Sequence, residues 1–145
     1  MVSKEKIEEK FCQLNDFLEL LRKIKTIPLN AFLKDKLLIG SAKYYLQVSI
    51  ECCLDIANHI IAAERFRSPN DYADSFAVLE EMSIINKHLS FNLRQMVKFR
   101  NRLVHLYGEV DDGNVYKYIE NELKDISEFK AAILVRYVSA NELKA

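Results

Sequence analysis

Apolar residues recur along this chain at steps of three and four. From Ser3 to Lys25, the residues Ile7, Phe11, Leu14, Leu18 and Leu21 form one stripe, the pattern of a helix with a single buried face. Ser3 stands at the N-cap position and Pro28 marks the break. A long second helix is predicted from Asn30 to Arg65. Leu33, Leu37, Ser41, Tyr44, Val48, Cys52, Ile56 and Ile60 keep one face, which Tyr45, Leu54 and Ile61 widen. So broad an apolar arc must touch more than one neighbour. The segment Phe66–Asp71 reads as a turn. A short helix follows from Asp71 to Met82, and Asn86 caps another from Lys87 to about Val104. After a polar break, Gly108–Gly113, the last helix carries Val115, Ile119, Leu123, Ile126, Phe129 and Ile133. No run alternates apolar and polar convincingly. The expected fold is all-α: an antiparallel four-helix bundle with an additional short helix, residues 1–145 making a single domain.

Composition agrees with this and narrows the partners. Only 3 Gly and 2 Pro leave few places to turn, which favours long helices. Twenty-one basic and 21 acidic side chains balance, so there is no blanket attraction to nucleic acid and any such binding needs a local patch. Cys12, Cys52 and Cys53 are an odd set without a CxxC pair, expected to be reduced. The charged N-terminus lacks the apolar core of a secretory signal. The most apolar stretch, Val48–Ala63, is interrupted by Glu51, Asp55 and His59, too polar and too short for a bilayer span. A soluble, cytoplasmic protein is expected, with no membrane association.

The local patch exists. From Met82 to Gly108 there is no Asp or Glu, while Lys87, Arg94, Lys98, Arg100 and Arg102 are joined by His88 and His105. At about 100° per residue, Arg94, Lys98, Asn101, Arg102 and His105 fall within roughly 100° of one another. This stripe could track a phosphate backbone; a solvated face paired to carboxylates elsewhere would read the same way. Arg100 is sharper. It falls inside the core stripe of Leu89, Leu93, Met96, Phe99 and Leu103, and an unpaired guanidinium among apolar side chains costs several kcal/mol. It must meet a carboxylate, for which Glu51 and Asp55 are the candidates, or line a cleft, or lie at a subunit interface. His105, near the C-terminal end of that helix, could take a proton from a ribose 2′-hydroxyl or give one to a leaving 5′-oxygen, while an arginine neutralises the crowded phosphorane. Arg100 and His105 are about 140° apart on an ideal helix. Either the helix ends near Leu103 and His105 swings round, or two copies of the protein combine their residues.

The run Phe99-Arg100-Asn101-Arg102-Leu103-Val104-His105-Leu106-Tyr107 matches an Arg-x4-His-x-Tyr motif. With Leu46–Ile61 and Tyr72–Phe76 it resembles the HepT-like (DUF86) family of HEPN ribonuclease toxins, over roughly residues 40 to 130. That resemblance implies an all-helical homodimer whose two motifs face a shared cleft and cleave RNA without a metal or cofactor. It implies Arg100 and His105 as catalytic residues, with Asn101 and Tyr107 supporting and Arg94, Lys98 and Arg102 on the RNA. It also implies a minimal nucleotidyltransferase antitoxin of the MntA type, which silences the toxin by transferring AMP to Tyr107; bulk and negative charge there would compete for the phosphate site. The alternative is a non-catalytic binding module that docks a nucleotidyltransferase or a nucleotide and keeps the motif only as a contact site.

Overall fold

The Ser3 hydroxyl accepts the Lys6 amide at 3.2 Å and opens the first helix, α1 (Lys4–Lys25). The remaining helices are α2 (Leu29–Leu33), α3 (Lys36–Glu64), α4 (Asp74–Glu81), α5 (Lys87–His105), α6 (Asp112–Asn121) and α7 (Leu123–Ile133). A 3₁₀ turn, Tyr107–Glu109, joins α5 to α6, and a π-helical turn, Leu134–Ser139, follows α7. This is a computed structural model that describes residues 1–139; the last six residues of the expected 1–145 domain lie outside that range. No strand occurs among the described residues.

The long α3 is the axis. α1 runs antiparallel along it, so that the start of α1 meets the end of α3: the Ser3 amide donates to His59 Nε2 at 3.0 Å. α5 runs antiparallel along another side, and α4, α6 and α7 close the remaining faces. One core includes Leu14, Leu18 and Leu21 of α1, Leu46, Ile50, Ile56 and Ile60 of α3, Phe76 of α4, Leu93 and Met96 of α5, and Phe129 of α7. Each such side chain, when fully buried, contributes about 2 kcal/mol. Phe76 and Phe129 meet edge-on at 5.5 Å, and the rings of Phe99 and Tyr118 stack at 4.4 Å.

The short helix starts at Asp74 rather than Asp71, and two longer helices are divided where the sequence reading had them continuous. The predicted Asn30–Arg65 helix is broken at Asp35, whose carboxylate caps α3 by accepting the Leu38 amide at 3.0 Å. The apolar period continues through the break from Leu33 to Leu37, which hides it. The last predicted helix bends at Glu122 into α6 and α7. The apolar stretch is also longer than the Val48–Ala63 segment expected to be too short for a bilayer span. At 29 residues α3 is long and apolar enough to cross a bilayer, yet the greater part of its most apolar stretch is buried against the other helices. At its far end Arg65 adopts a left-handed conformation (φ 58°) and the Phe66 amide reaches back to the Ile61 carbonyl at 3.0 Å, closing the helix without the glycine usual there.

Candidate functional site

Asn86 caps α5 by accepting the Leu89 amide at 2.8 Å. The helix then buries Leu89, Leu93, Met96, Phe99 and Leu103, the stripe read from sequence. Arg100 lies within that stripe with 16% of its side chain exposed. Its Nη2 donates to Glu51 Oε1 at 3.0 Å and its Nη1 to Asn101 Oδ1 at 3.1 Å. Gln47, one turn before Glu51 on α3, donates to the same carboxylate oxygen at 2.9 Å. The Tyr72 ring lies 5.5 Å from the guanidinium carbon, and Arg100 Nε is buried without a partner. The charge is therefore compensated and held in one orientation, the condition for keeping it out of water. Glu51 takes the role that the sequence left open between two acids. Asp55 is exposed on another side of α3 and pairs with Lys10 at 3.0 Å.

The basic stripe divides. Lys98 and Arg102 are exposed and carry no ion pair among the described residues. Arg94 is half-buried, approaches Glu80 at 3.8 Å and donates to the Ser90 carbonyl at 3.3 Å, so part of its charge is spoken for. Asn101 turns from the stripe toward Arg100. His105 is exposed as the last residue of α5. Because the helix continues through His105 rather than ending near Leu103, the imidazole and the Arg100 guanidinium stay about 140° apart around the axis. No hydrogen bond joins the two side chains among the described residues.

Tyr107 follows on the 3₁₀ turn, 50% exposed. It is fixed by a residue that sequence reading passed over. Lys43 of α3, only 6% exposed, donates to the Tyr107 carbonyl at 3.2 Å, pairs with Asp112 at 3.2 Å, and has its ammonium 4.3 Å from the Tyr107 ring centroid. The Tyr107 hydroxyl lies near Gly40, where an added Cβ would stand 3.7 Å from it. Lys43 lies between the buried Ile39, Ala42 and Leu46, so the argument that singled out Arg100 could also have found it. Gln47 and Tyr72 carried no comparable signal. Around this end of the molecule, Leu37 (86%), Tyr44, Val104 and Leu106 are apolar and exposed. No three His, Cys, Asp or Glu side chains gather as a metal site among the described residues.

The sequence model of the ribonuclease HepT-like family matches residues 14–133. An mRNA nuclease HepT of Shewanella oneidensis is 37% identical over 98 residues, which span 68% of this chain and 74% of that protein. A tRNA nuclease HepT of Aphanizomenon flos-aquae is 27% identical over 120 residues, 81% of this chain and 80% of its own. Among solved structures, the tri-AMPylated Shewanella oneidensis HEPN toxin in complex with MNT antitoxin superposes with a TM-score of 0.86 at 29% identity, covering 92% of this chain and all of that one.

Proposed function

The chain belongs to the ribonuclease HepT-like family, and from that membership we propose that it is a metal-independent endoribonuclease toxin acting at a cleft shared by two copies of itself. The observation that carries the reading is the Arg100 guanidinium, buried in an apolar stripe, oriented by Glu51 and Asn101, and five residues from an exposed histidine. About 140° around α5 separates Arg100 from His105, which favours a cleft in which two chains face one phosphate. The exposed apolar residues Leu37, Tyr44, Val104 and Leu106 near this end favour such a pairing, because a cluster of them loses contact with water when a second copy covers it.

In the proposed reaction, the imidazole of His105 takes the proton of a ribose 2′-hydroxyl. The 2′-oxygen then attacks the adjacent phosphorus, and the 5′-oxygen leaves with a proton from the second copy's His105. The products are a 2′,3′-cyclic phosphate and a 5′-hydroxyl. Arg100 offsets the charge that builds on the non-bridging oxygens, and its fixed orientation needs no reorganisation as that charge develops. Lys98 and Arg102 hold the flanking backbone, with Arg94 contributing less because of Glu80. The partner that silences the toxin is a nucleotidyltransferase: the Tyr107 hydroxyl attacks the α-phosphorus of ATP and pyrophosphate departs. The resulting AMP group places a negative charge and an adenosine beside the cleft and excludes the substrate phosphate.

The test is direct. Purified protein incubated with tRNA or mRNA in EDTA cleaves it, and His105→Ala lowers the rate by at least about a hundredfold. Equal cleavage by that variant ends the nuclease reading and leaves the non-catalytic docking module.

A further inference from the structure

Beside Arg100 the α3–α4 connection forms a groove that the reaction above does not use. Its volume is about 340 Å³, and it is lined by Asn58, Pro69, Asp71, Tyr72 and Ser75. We propose that this groove receives an unpaired nucleobase of the RNA next to the scissile phosphate, stacked on Tyr72. The proposal rests on the nuclease reading and adds the class of substrate, a single-stranded segment with one base splayed out.

Four observations carry it. Tyr72 is 56% exposed, with its ring 5.5 Å from the guanidinium carbon of Arg100. A ring in that place offers a flat π-surface at the point where a phosphate would be held, the arrangement by which sequence-tolerant single-strand binding works. Pro69 and Tyr72 supply the apolar part of the lining, and Asn58, Asp71 and Ser75 its polar groups. Those groups present both donor and acceptor. Ser75 Oγ donates to Asn58 Oδ1 at 2.9 Å, which orients the amide and leaves its nitrogen free to donate. Asp71 gives one carboxylate oxygen to the Asp74 amide at 2.7 Å and keeps the other as an acceptor. A nucleobase edge carries this mixture of donors and acceptors, and unstacked bases are the usual target of RNA recognition by proteins. Finally, Asp71 makes the groove unsuitable for a second phosphate, while its neighbour Arg67 is occupied by Asp74 and Glu81. A neutral base fits there where a backbone phosphate does not.

The experiment uses the full chain and a short single-stranded RNA spanning a cleavage site mapped with the wild-type protein, carrying a 2′-deoxy sugar at the scissile position so that it is not cut. Abasic residues are placed one at a time along it, and binding is measured for wild type, Tyr72→Phe and Tyr72→Leu. The expected result is a single position, adjacent to the scissile bond, where losing the base weakens binding by about tenfold. Tyr72→Phe retains that dependence because it keeps the ring, and Tyr72→Leu abolishes it at that position alone. If RNA is cleaved and bound but no position depends on the ring, the base groove is wrong and the nuclease reading survives. If the protein neither binds nor cleaves RNA, both are wrong. An even loss at every position for Tyr72→Leu also overturns the proposal, since it shows that Tyr72 only supports Arg100.

Discussion

Lys43 holds Tyr107 twice, through a hydrogen bond to its carbonyl at 3.2 Å and through an ammonium 4.3 Å from its ring. With Asp112 as the third partner, this buried cation ties the turn after α5 to α3. The position of the tyrosine, and of the helix end that carries His105, is thus set by a residue from the far side of the sequence.

Removing that cation frees the turn. In Lys43→Met the Glu109 amide, which donates to the Leu106 carbonyl at 2.9 Å, exchanges with deuterium several-fold faster, while core amides of α3 are unchanged. Overall stability falls by about 1.5–3 kcal/mol in urea unfolding, the worth of a hydrogen bond to a charged group. Lys43→Arg recovers part of both. An unchanged Glu109 exchange rate in Lys43→Met contradicts the role given to Lys43.

The Arg100–Glu51 pair is a second place where one truncation strands a charge. Glu51→Ala leaves the guanidinium with Asn101 and a buried, unpartnered Nε. Stability is expected to drop by about 2–3 kcal/mol, short of a fully buried pair because Glu51 is one-third exposed. Glu51→Gln keeps an acceptor and loses less. Chemical denaturation of the two variants beside wild type checks the order.

Much of the fold could be read from the chain, and the exceptions have physical causes. Ser3 and Asn86 cap where their residue types and the apolar onset place them. The five-membered stripe of α5 emerged with Arg100 inside it because a helical period and one misplaced charge are local information. The break at Asp35 did not emerge, since Leu33 and Leu37 continue the period across it. The partners of Arg100 were narrowed to two acids a turn apart on α3, and only tertiary packing decides that Glu51 faces α5 while Asp55 faces Lys10 of α1. Tyr72, read as part of the short helix, lies on the turn before α4, and its relation to Arg100 exists only in three dimensions.

Stability also depends on pH through His59. Its Nε2 accepts the Ser3 amide, and its basicity is lowered first by burial, then by Lys6 and by the N-terminal amine. Lys10, paired to Asp55, lines a groove between α1 and α3 together with His59. The unfolded chain, with an ordinary histidine near 6.5, then binds the proton more readily than the fold does. Stability is full above that value and declines as the pH falls below it, levelling off under the folded-state value. Melting temperatures between pH 7.5 and 5 should therefore fall more steeply for wild type than for His59→Asn; parallel slopes contradict this.

Tyr107→Phe tests the proposed AMP acceptor apart from the proposed cleavage chemistry. Without the hydroxyl no AMP can be attached, so incubation with the nucleotidyltransferase partner and ATP leaves the mass of the protein unchanged and its RNA cleavage unsuppressed. Cleavage itself should fall by less than about tenfold, because the proton transfers are assigned to His105. Suppression by the partner and ATP in this variant would place the modification elsewhere.

In the proposed assembly one phosphate is served by Arg100 and His105 from two facing chains. A structure of the assembled protein with a non-cleavable RNA in place measures it. The Arg100 guanidinium of one copy and the His105 imidazole of the other are expected within about 3 Å of oxygens on the same phosphodiester. Two groups that open into separate surroundings, both within a chain and across the assembly, contradict the proposal.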